Sequence, residues 1–314
     1  MATAPFTSES PLSDPAVPAL LKEAAGARDL PHSGRSFIEH LVGTWWILGM
    51  WGMPRAVCRA GLAHSCYSTI FYPHALFDLG ARPRVRALIG RGAEALAYRF
   101  CVIDRAELWT LAARLTSPGG GLKVRRIDDG RPVFLPAATV RSLLVVESAN
   151  LAEQSAAGDG SPEPWMSRLA SWSKVFGRVG PPLPRHLAPT LTGAAERRAL
   201  EKYRLALKAP LSEAPALLDD ALRLNPWAGE PRILRALCAL DRRDWASAFS
   251  HAAQGQELLS AWAVTWDKRL KLREWLGLAD LVMRGAAGAA RPAGRALSFR
   301  SVRAALNGAG GRRD

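Results

Sequence analysis

The strongest constraint on the fold is a helical pattern that begins at Ser36. Ser36 and Glu39 have the S-x-x-E spacing of a capping box, in which side chains bind the free amides of a helix's first turn. Apolar side chains then follow at helical spacing, at Phe37, Leu41, Trp45 and Leu48. Pro54 is typical of the start of a helix, so a second helix is predicted directly after the first.

The remaining apolar patterns are helical with one exception. Helical spacing recurs through residues 83–89, 91–103, 104–115 and 137–157. Between the last two, "GLKVRRIDDGRPVFLP" places Asp129-Gly130 between short extended runs, which is typical of a β-hairpin. We therefore predict an all-α fold with one small β-hairpin.

The chain is long enough for two domains. It has 314 residues and 48% hydrophobic residues, which suffices for a core in each. Proline and glycine concentrate between two helical regions, around a short amphipathic piece that contains Trp165 and Trp172. The predicted parts are a lead-in at 1–30 with one short helix, a helical domain at 31–156, a linker at 157–192, a second helical domain at 193–283, and a basic disordered tail at 284–314.

The second helical domain resembles tetratricopeptide repeats. Its matching positions are Ala214, Leu218, Ala221 and Pro226, in the second helix of one repeat and its closing proline. Ala248 lies 34 residues after Ala214, which is the period of that repeat. A generic helical hairpin domain is the alternative. The resemblance implies a concave helical surface for a protein partner on residues 193–283.

The charge balance raises the question of nucleic acid. The net charge is +14, and such an excess is typical of proteins that bind phosphates. However, the arginines are scattered, and seven of them lie in residues 284–314. No basic stripe is interleaved with aromatic residues. We therefore interpret the charge as a solvated arginine-rich surface and do not expect nucleic acid as a partner.

Cysteine usage and hydropathy predict a cytoplasmic protein. The four cysteines show no C-x-x-C spacing, which is typical of reduced thiols. The start, "MATAPFTSES", lacks the basic and apolar segments of a signal peptide. The most apolar run, "LVGTWWILGMWGM", has 13 residues, whereas a bilayer-spanning helix needs about 20. We therefore expect no membrane partner.

Two histidines are the main candidates for chemistry. His40 and His64 fall on the apolar faces of the two predicted consecutive helices, so their rings can meet inside the domain. Imidazoles that converge with a carboxylate form a metal site. Asp104 is the first candidate for that carboxylate, although it is equally suited to cap the helix that follows it. Glu147 is the second candidate, in a polar cluster with Asn150 and Glu153.

The segments around these histidines resemble HD-superfamily domains. "FIEHLVGTWWIL" and "AVCRAGLAHS" are similar to the opening of those domains, and most similar to the hydrolases that remove pyrophosphate from (p)ppGpp. Together, "PHSGRSFIEHLVGTW", "VCRAGLAHSCYST" and "FCVIDR" resemble an uncharacterised bacterial family of HD-like domains, over residues 31–156. His40 and His64 match the two histidines of the pattern. Ser65 stands where the pattern has aspartate.

The resemblance implies a metal-dependent phosphohydrolase that acts on a nucleotide or another phosphorylated small molecule. Its metal would be Mn(II), Fe(II) or Zn(II). The implied ligands are His40, His64 and Asp104, with His32 or His74 as a further ligand from a loop. Asp104 or Glu147 would orient a metal-bound water, and Arg35 would hold the substrate phosphate.

Ser65 leaves other interpretations open, because a neutral hydroxyl is a poor metal ligand. The two histidines would then line a metal-free polar pocket, or lie buried with hydrogen bonds to Ser65, Thr44 or backbone carbonyls. The alternative function is a non-catalytic scaffold for a ligand or a protein, built from a degenerate HD domain and the repeat-like helices.

Overall fold

The structure is a computed structural model that describes residues 13–24, 31–32, 35–68, 75–113, 115, 120–177, 179–288 and 298–309. The contacts divide the chain into two compact units. Unit 1 comprises Met1–Gln154 and Trp172–Pro181, and unit 2 comprises Ser155–Ser171 and Pro182–Asp314. None of the helices in these ranges combines the length and the hydropathy needed to cross a bilayer.

Helices account for most of both units. In chain order they are α1 (Ala16–Glu23), α2 (Phe37–Met50), α3 (Arg55–Leu62), α4 (Arg82–Ile89), α5 (Arg91–Val102), α6 (Arg105–Ala112), α7 (Ala137–Gln154), α8 (Met166–Ser171), α9 (Ser173–Phe176), α10 (Gly193–Ala206), α11 (Ala214–Leu224), α12 (Glu230–Asp241), α13 (Trp245–Trp262), α14 (Leu272–Ala286) and α15 (Phe299–Ala309). Helices α1–α7 and α9 belong to unit 1, and the others belong to unit 2.

Strands are few and short within the described ranges. Strands β1 (Pro31–His32) and β2 (Arg35–Ser36) pair over two residues each. Strands β3 (Gly121–Arg125) and β4 (Pro132–Pro136) form the antiparallel hairpin that the sequence predicts. The prediction of an all-α fold with one small β-hairpin is confirmed.

Helix α2 begins where its capping box predicts. The Glu39 amide donates to Ser36 Oγ at 3.2 Å, and the Ser36 amide donates to the Glu39 carboxylate at 3.2 Å. Two of the four free amides of the first turn are thereby satisfied. The apolar stripe of α2 faces the core, and its buried members include Phe37, Leu41, Trp45 and Leu48.

Helix α7 is the central element of unit 1. It contacts α2, α3 and α5, and it is buried around most of its circumference. Such a helix lies inside the core, so any polar side chain on it must find an internal partner. Helices α2 and α3 cross closely, because a methyl group at Gly61 would lie 2.2 Å from Leu48 Cδ1. The absence of a side chain at Gly61 permits this close approach.

Unit 2 is a stack of consecutive helices. Helices α10 to α14 each pack on the next, and α12 also contacts α14. The alanines behind the repeat resemblance, Ala214, Ala221 and Ala248, are buried. This packing is of the kind that repeats produce. Tetratricopeptide repeats themselves stay a prediction.

The predicted lead-in, linker and tail all contain helices. The short helix predicted in the lead-in corresponds to α1, and Asp14 beside it forms an ion pair with Arg59 of α3 at 2.7 Å. The predicted linker is folded in part, because Trp165 and Trp172 are buried beside α8 and α9. The predicted disordered tail contains α15, whose Phe299 and Leu306 are buried. The apolar residues of α15 have helical spacing. However, the segment is rich in Ala, Gly and Arg, and this composition led to the prediction of disorder.

Two glycines of unit 1 allow a matched test of the backbone. A methyl group at either Gly130 or Gly92 meets nothing within 4 Å, but Gly130 has φ of +70° in the hairpin turn, whereas Gly92 is the second residue of α5. Gly130→Ala is therefore expected to lower the free energy of unfolding by about 1 kcal/mol, since L-residues are strained there. Gly92→Ala is expected to raise it by up to about 1 kcal/mol. Urea denaturation measures both; equal signs would contradict the assignment of backbone strain.

Candidate functional site

His40 binds a carboxylate that lies 113 residues later in the chain. Its Nδ1 lies 2.5 Å from Glu153 Oε2 on α7. Both residues are buried, at 1% and 3% exposure. This bond connects α2 to α7 inside unit 1. The sequence places Glu153 in a polar cluster, but it does not indicate that His40 is its partner.

His64 lies beyond the end of its helix, which corrects the prediction that it belongs to the second helix. Helix α3 ends at Leu62, and His64 lies in the turn that follows. Its Nδ1 donates to the Gly61 carbonyl at 2.7 Å, and the Cys101 thiol donates to the His64 carbonyl at 3.2 Å. These bonds close the turn and fix the direction of the ring. A backbone carbonyl is one of the partners that the sequence interpretation leaves open for these histidines.

The two histidines meet through their Nε2 atoms. The distance between these atoms is 3.1 Å, and the ring planes are inclined by 80°. The Gly61 carbonyl only accepts, so His64 carries a proton on Nδ1. One of the two Nε2 atoms donates to the other. Glu153, His40, His64 and the Gly61 carbonyl thus form one continuous chain of hydrogen bonds.

Glu147 belongs to a second buried pair on α7. Arg105 Nη1 donates to Glu147 Oε2 at 3.0 Å, and Asn150 Nδ2 is 3.4 Å from the same oxygen. The guanidinium of Arg105 also lies 4.5 Å from the centre of the Phe100 ring, and that ring packs edge-on against His64 at 5.3 Å. Phe100 therefore contacts both the Arg105–Glu147 ion pair and the hydrogen-bonded chain of His40 and His64. The structure engages Glu147 in an ion pair with Arg105, and its role as a distal acid stays a prediction.

Asp104 caps helix α6. Its Oδ1 accepts from the Glu107 amide at 3.0 Å, and its Oδ2 lies 3.6 Å from Arg125. This is the capping role that the sequence allows beside the metal role. Within the described ranges, no group of three or more His, Cys, Asp or Glu side chains could hold a metal. The predicted ligand set of His40, His64 and Asp104 is therefore not assembled, although its two histidines are together.

The structure does not describe the side chains of His32 and Arg35, and it does not describe His74 at all. Their predicted roles, as further ligands and as a phosphate contact, stay predictions. Cys66 beside Ser65 is described, and burial raises the pKa of its thiol well above the usual value. It is therefore protonated near neutral pH and is not an activated nucleophile.

Glycine is required beside the histidine chain. A methyl group at Gly43 of α2 would lie 2.9 Å from both Cγ and Oε1 of Glu153. Glycine in a helix interior destabilises the helix relative to alanine. Gly43 therefore lowers the intrinsic stability of α2. The missing side chain gives Glu153 the space to reach His40.

Unit 2 contains buried carboxylates that the sequence analysis did not select. Asp267 accepts from Tyr203 Oη at 2.6 Å and from Arg269 at 2.5 Å. Glu230, at the start of α12, accepts from the amides of Trp266 and Asp267 at 2.6 and 3.2 Å. Burial and the charge of Asp267 raise the pKa of Glu230 to about 7, although its backbone hydrogen bonds oppose this shift. The sequence contains one indication of this role. Glu230 directly follows "PWAG" at the start of a helix, where carboxylates often bind backbone amides.

Comparison with known proteins adds one match. A family model described as "Domain of unknown function (DUF6817)" matches residues 20–105. This range includes His40, His64 and Asp104, and it ends before α7 with Glu147 and Glu153. No curated protein and no solved structure matches the chain.

The bond between α2 and α7 predicts a large coupling energy. His40→Ala and Glu153→Ala each leave a buried polar partner without its hydrogen bond, so each is expected to lower the free energy of unfolding by about 2 to 4 kcal/mol. The double variant is expected to lose less than the sum by about 1 to 3 kcal/mol. Guanidinium denaturation measures the cycle. In the control cycle, His40→Ala with Val85→Ala should be additive, because buried Val85 lies on α4, which packs on α1, α3 and α5, whereas His40 lies on α2. Coupling of equal size there would contradict the specific bond.

Glu230 predicts a pH dependence of stability in unit 2. A folded pKa of about 7, above the ordinary 4.5, means that the folded state holds the proton more tightly than the unfolded state. The stabilisation is complete below pH 4.5 and is lost as the pH rises through 7, by roughly 3 kcal/mol. Glu230→Gln keeps an acceptor for both amides and does not titrate. The difference in Tm between this variant and the wild type should shift in favour of the variant between pH 4.5 and pH 8; a constant difference would contradict the assignment.

Proposed function

We propose that the chain is a non-catalytic helical scaffold, in which a degenerate HD-like domain accompanies a repeat-like domain that binds a protein partner. The observation that carries this proposal is the engagement of His40, His64 and Glu153 with one another. In a hydrolase centre, such groups converge on an ion and on water. Here the imidazoles lie inside the core at the junction of α2, α3 and α7, and they hold those elements together.

The state of the other predicted groups supports the same proposal. Glu147 is neutralised by Arg105, and Asp104 caps a helix. Ser65, which stands in place of the dyad aspartate, is buried. An acid that is bound to a guanidinium cannot also orient a metal-bound water without losing a buried ion pair. Residues 31–156 would therefore act as a structural and binding module, with residues 193–283 as the partner-binding surface.

A metal-dependent phosphohydrolase is the second candidate, and one observation favours it. Metal-binding histidines commonly use their second ring nitrogen to bind a carboxylate or a carbonyl. His40 and His64 do so with Glu153 and Gly61. Two nitrogen ligands of one ion lie roughly 3.0 to 3.4 Å apart, and the two Nε2 atoms are 3.1 Å apart. Mn(II), Fe(II) or Zn(II) would supply Lewis-acid activation of water if it bound there.

Metal analysis separates the two proposals. Untagged full-length protein is loaded separately with Zn(II), Mn(II) and, without oxygen, Fe(II), and it is then desalted. The scaffold proposal predicts far less than one ion per chain, because the described ligands are too few. Stoichiometric metal that is lost in His40→Ala and His64→Ala, but kept in His186→Ala, would overturn it in favour of the phosphohydrolase. His186 is an exposed histidine of unit 2 and serves as the matched control.

A further variant tests whether the module is a decayed metal centre. Ser65→Asp restores the dyad aspartate of the HD pattern next to His64, and it is expected to create or strengthen metal binding. The measurement is again the number of ions per chain, with Tm in the presence and absence of chelator. A variant that folds but binds no more metal than the wild type would contradict the descent of this site from an HD centre.

A further inference from the structure

We propose that the turn between α12 and α13, with the first two turns of α13, is a docking site for an acidic peptide segment of a partner protein. This inference rests on the proposed scaffold function and names the partner chemistry. The site comprises Arg242, Arg243, Trp245 and Phe249, which we call the α13 patch, together with an adjoining cavity. Each part is described below.

The aromatic residues of the α13 patch are exceptional in their unit. Trp245 and Phe249 are each 46% exposed. The other tryptophans of unit 2 are at most 1% exposed, and they are Trp165, Trp227, Trp262, Trp266 and Trp275. A unit that buries five indoles almost completely has no general shortage of core. The exposure of the sixth indole next to a phenylalanine is the kind of apolar surface that marks an interaction site.

The orientation of α13 keeps these rings outside. Trp245 and Phe249 are four residues apart, so they lie side by side on one face. Another face carries Ala248, Ala252 and Gly255, which are buried where α13 meets α12. A methyl group at Gly255 would lie 2.8 Å from Ile233 Cγ1. Because α13 is seated this closely, it cannot rotate to bury the two aromatic rings.

The turn beside these rings carries two available cations. Arg242 and Arg243 are exposed, and among the described residues neither side chain forms an ion pair or a hydrogen bond. The adjacent aspartates are occupied by backbone amides: Asp241 accepts from Phe299 and Asp244 accepts from Ser247. Arg243 has φ of +62°, and the amides of Arg243 and Asp244 bind the last carbonyls of α12. The turn therefore holds both guanidinium groups on a fixed backbone.

A cavity adjoins the same turn. Its volume is about 260 Å³, and Arg242 belongs to its lining. The rest of the lining is mostly apolar and consists of Leu211, Ser212, Pro215, Cys238, Asp241 and Phe299. An apolar hollow next to a free guanidinium is suited to an apolar side chain that has a carboxylate neighbour. Burial raises the pKa of Cys238 to about 12, so its thiol behaves as an apolar group there.

The charges select a peptide over a nucleic acid. Guanidinium groups bind carboxylates in a bidentate geometry. Trp and Arg are among the residues that dominate binding energy at protein interfaces, and Phe is enriched there. A phosphate backbone would require a line of cations along its path. The α13 patch instead has two cations at one turn with two aspartates beside them. We therefore assign the patch to a short segment in which Asp or Glu alternates with apolar residues.

Fluorescence anisotropy of the full-length protein tests this assignment. The probe is a fluorescein-labelled decapeptide that alternates Asp and Glu with Leu and Phe. The wild type should bind it, and Trp245→Ala or the double variant Arg242→Glu, Arg243→Glu should weaken binding by about tenfold or more. The matched controls are Leu205→Ala and Arg198→Glu on α10, which are exposed residues of the same unit and should change Kd less than twofold. Circular dichroism verifies that each variant is folded.

The comparison probes give the outcomes that would overturn the proposal. A decapeptide with Lys in place of the acids, and one with Ser in place of the apolar residues, should both bind at least about tenfold more weakly. Absence of acidic-peptide binding, or binding that the patch variants leave unchanged, would overturn it. So would tighter binding of a fluorescein-labelled single-stranded DNA of ten nucleotides that requires Arg242. Metal content reports separately on the proposed function, so stoichiometric metal with patch-dependent peptide binding would overturn only that function.

Discussion

The hydrogen bond between His40 and Glu153 is the constraint on which unit 1 depends. It joins a helix near the start of the unit to the central helix α7, across 113 residues of chain. Both groups are inside the core, where an unpaired charge or imidazole would be strongly destabilising. The positions of α2, of the turn with His64 and of α7 are therefore linked by polar geometry as well as by apolar packing. His40, His64 and Glu153 thus act as connections between elements of the fold.

Buried carboxylates with internal partners occur in both units. Glu153 and Glu147 meet an imidazole and a guanidinium, while Glu230 and Asp267 bind backbone amides and an arginine. Such groups contribute little net stability compared with apolar residues of the same size. They do specify a single arrangement, because every alternative leaves a charge without a partner. For the scaffold function that we propose, a single arrangement of the surface is the property that matters.

Much of the fold follows from local sequence patterns, but the site does not. The capping box at Ser36, the helix start at Pro54 and the hairpin at Asp129-Gly130 are signals within a few residues, and each corresponds to an element of the structure. The partner of His40 is distant in sequence, and no local pattern distinguishes Asp104, Glu147 and Glu153 as candidates for it. Packing of the helices determines that Asp104 caps α6, that Glu147 binds Arg105 and that Glu153 binds His40. Helix α15 was missed because its three apolar residues lie in an Ala- and Gly-rich segment.

Gly43 shows how such a network limits sequence change at a position that has no side chain. Exchanging helix glycines for alanine is a common route to more rigid proteins, and Gly43 in the middle of α2 is an obvious target for it. Here the added methyl would displace the carboxylate of Glu153 from the imidazole it holds. An engineer who reads only helix propensity would thus weaken the domain. Vacant space beside a buried acid can be as indispensable as the acid itself.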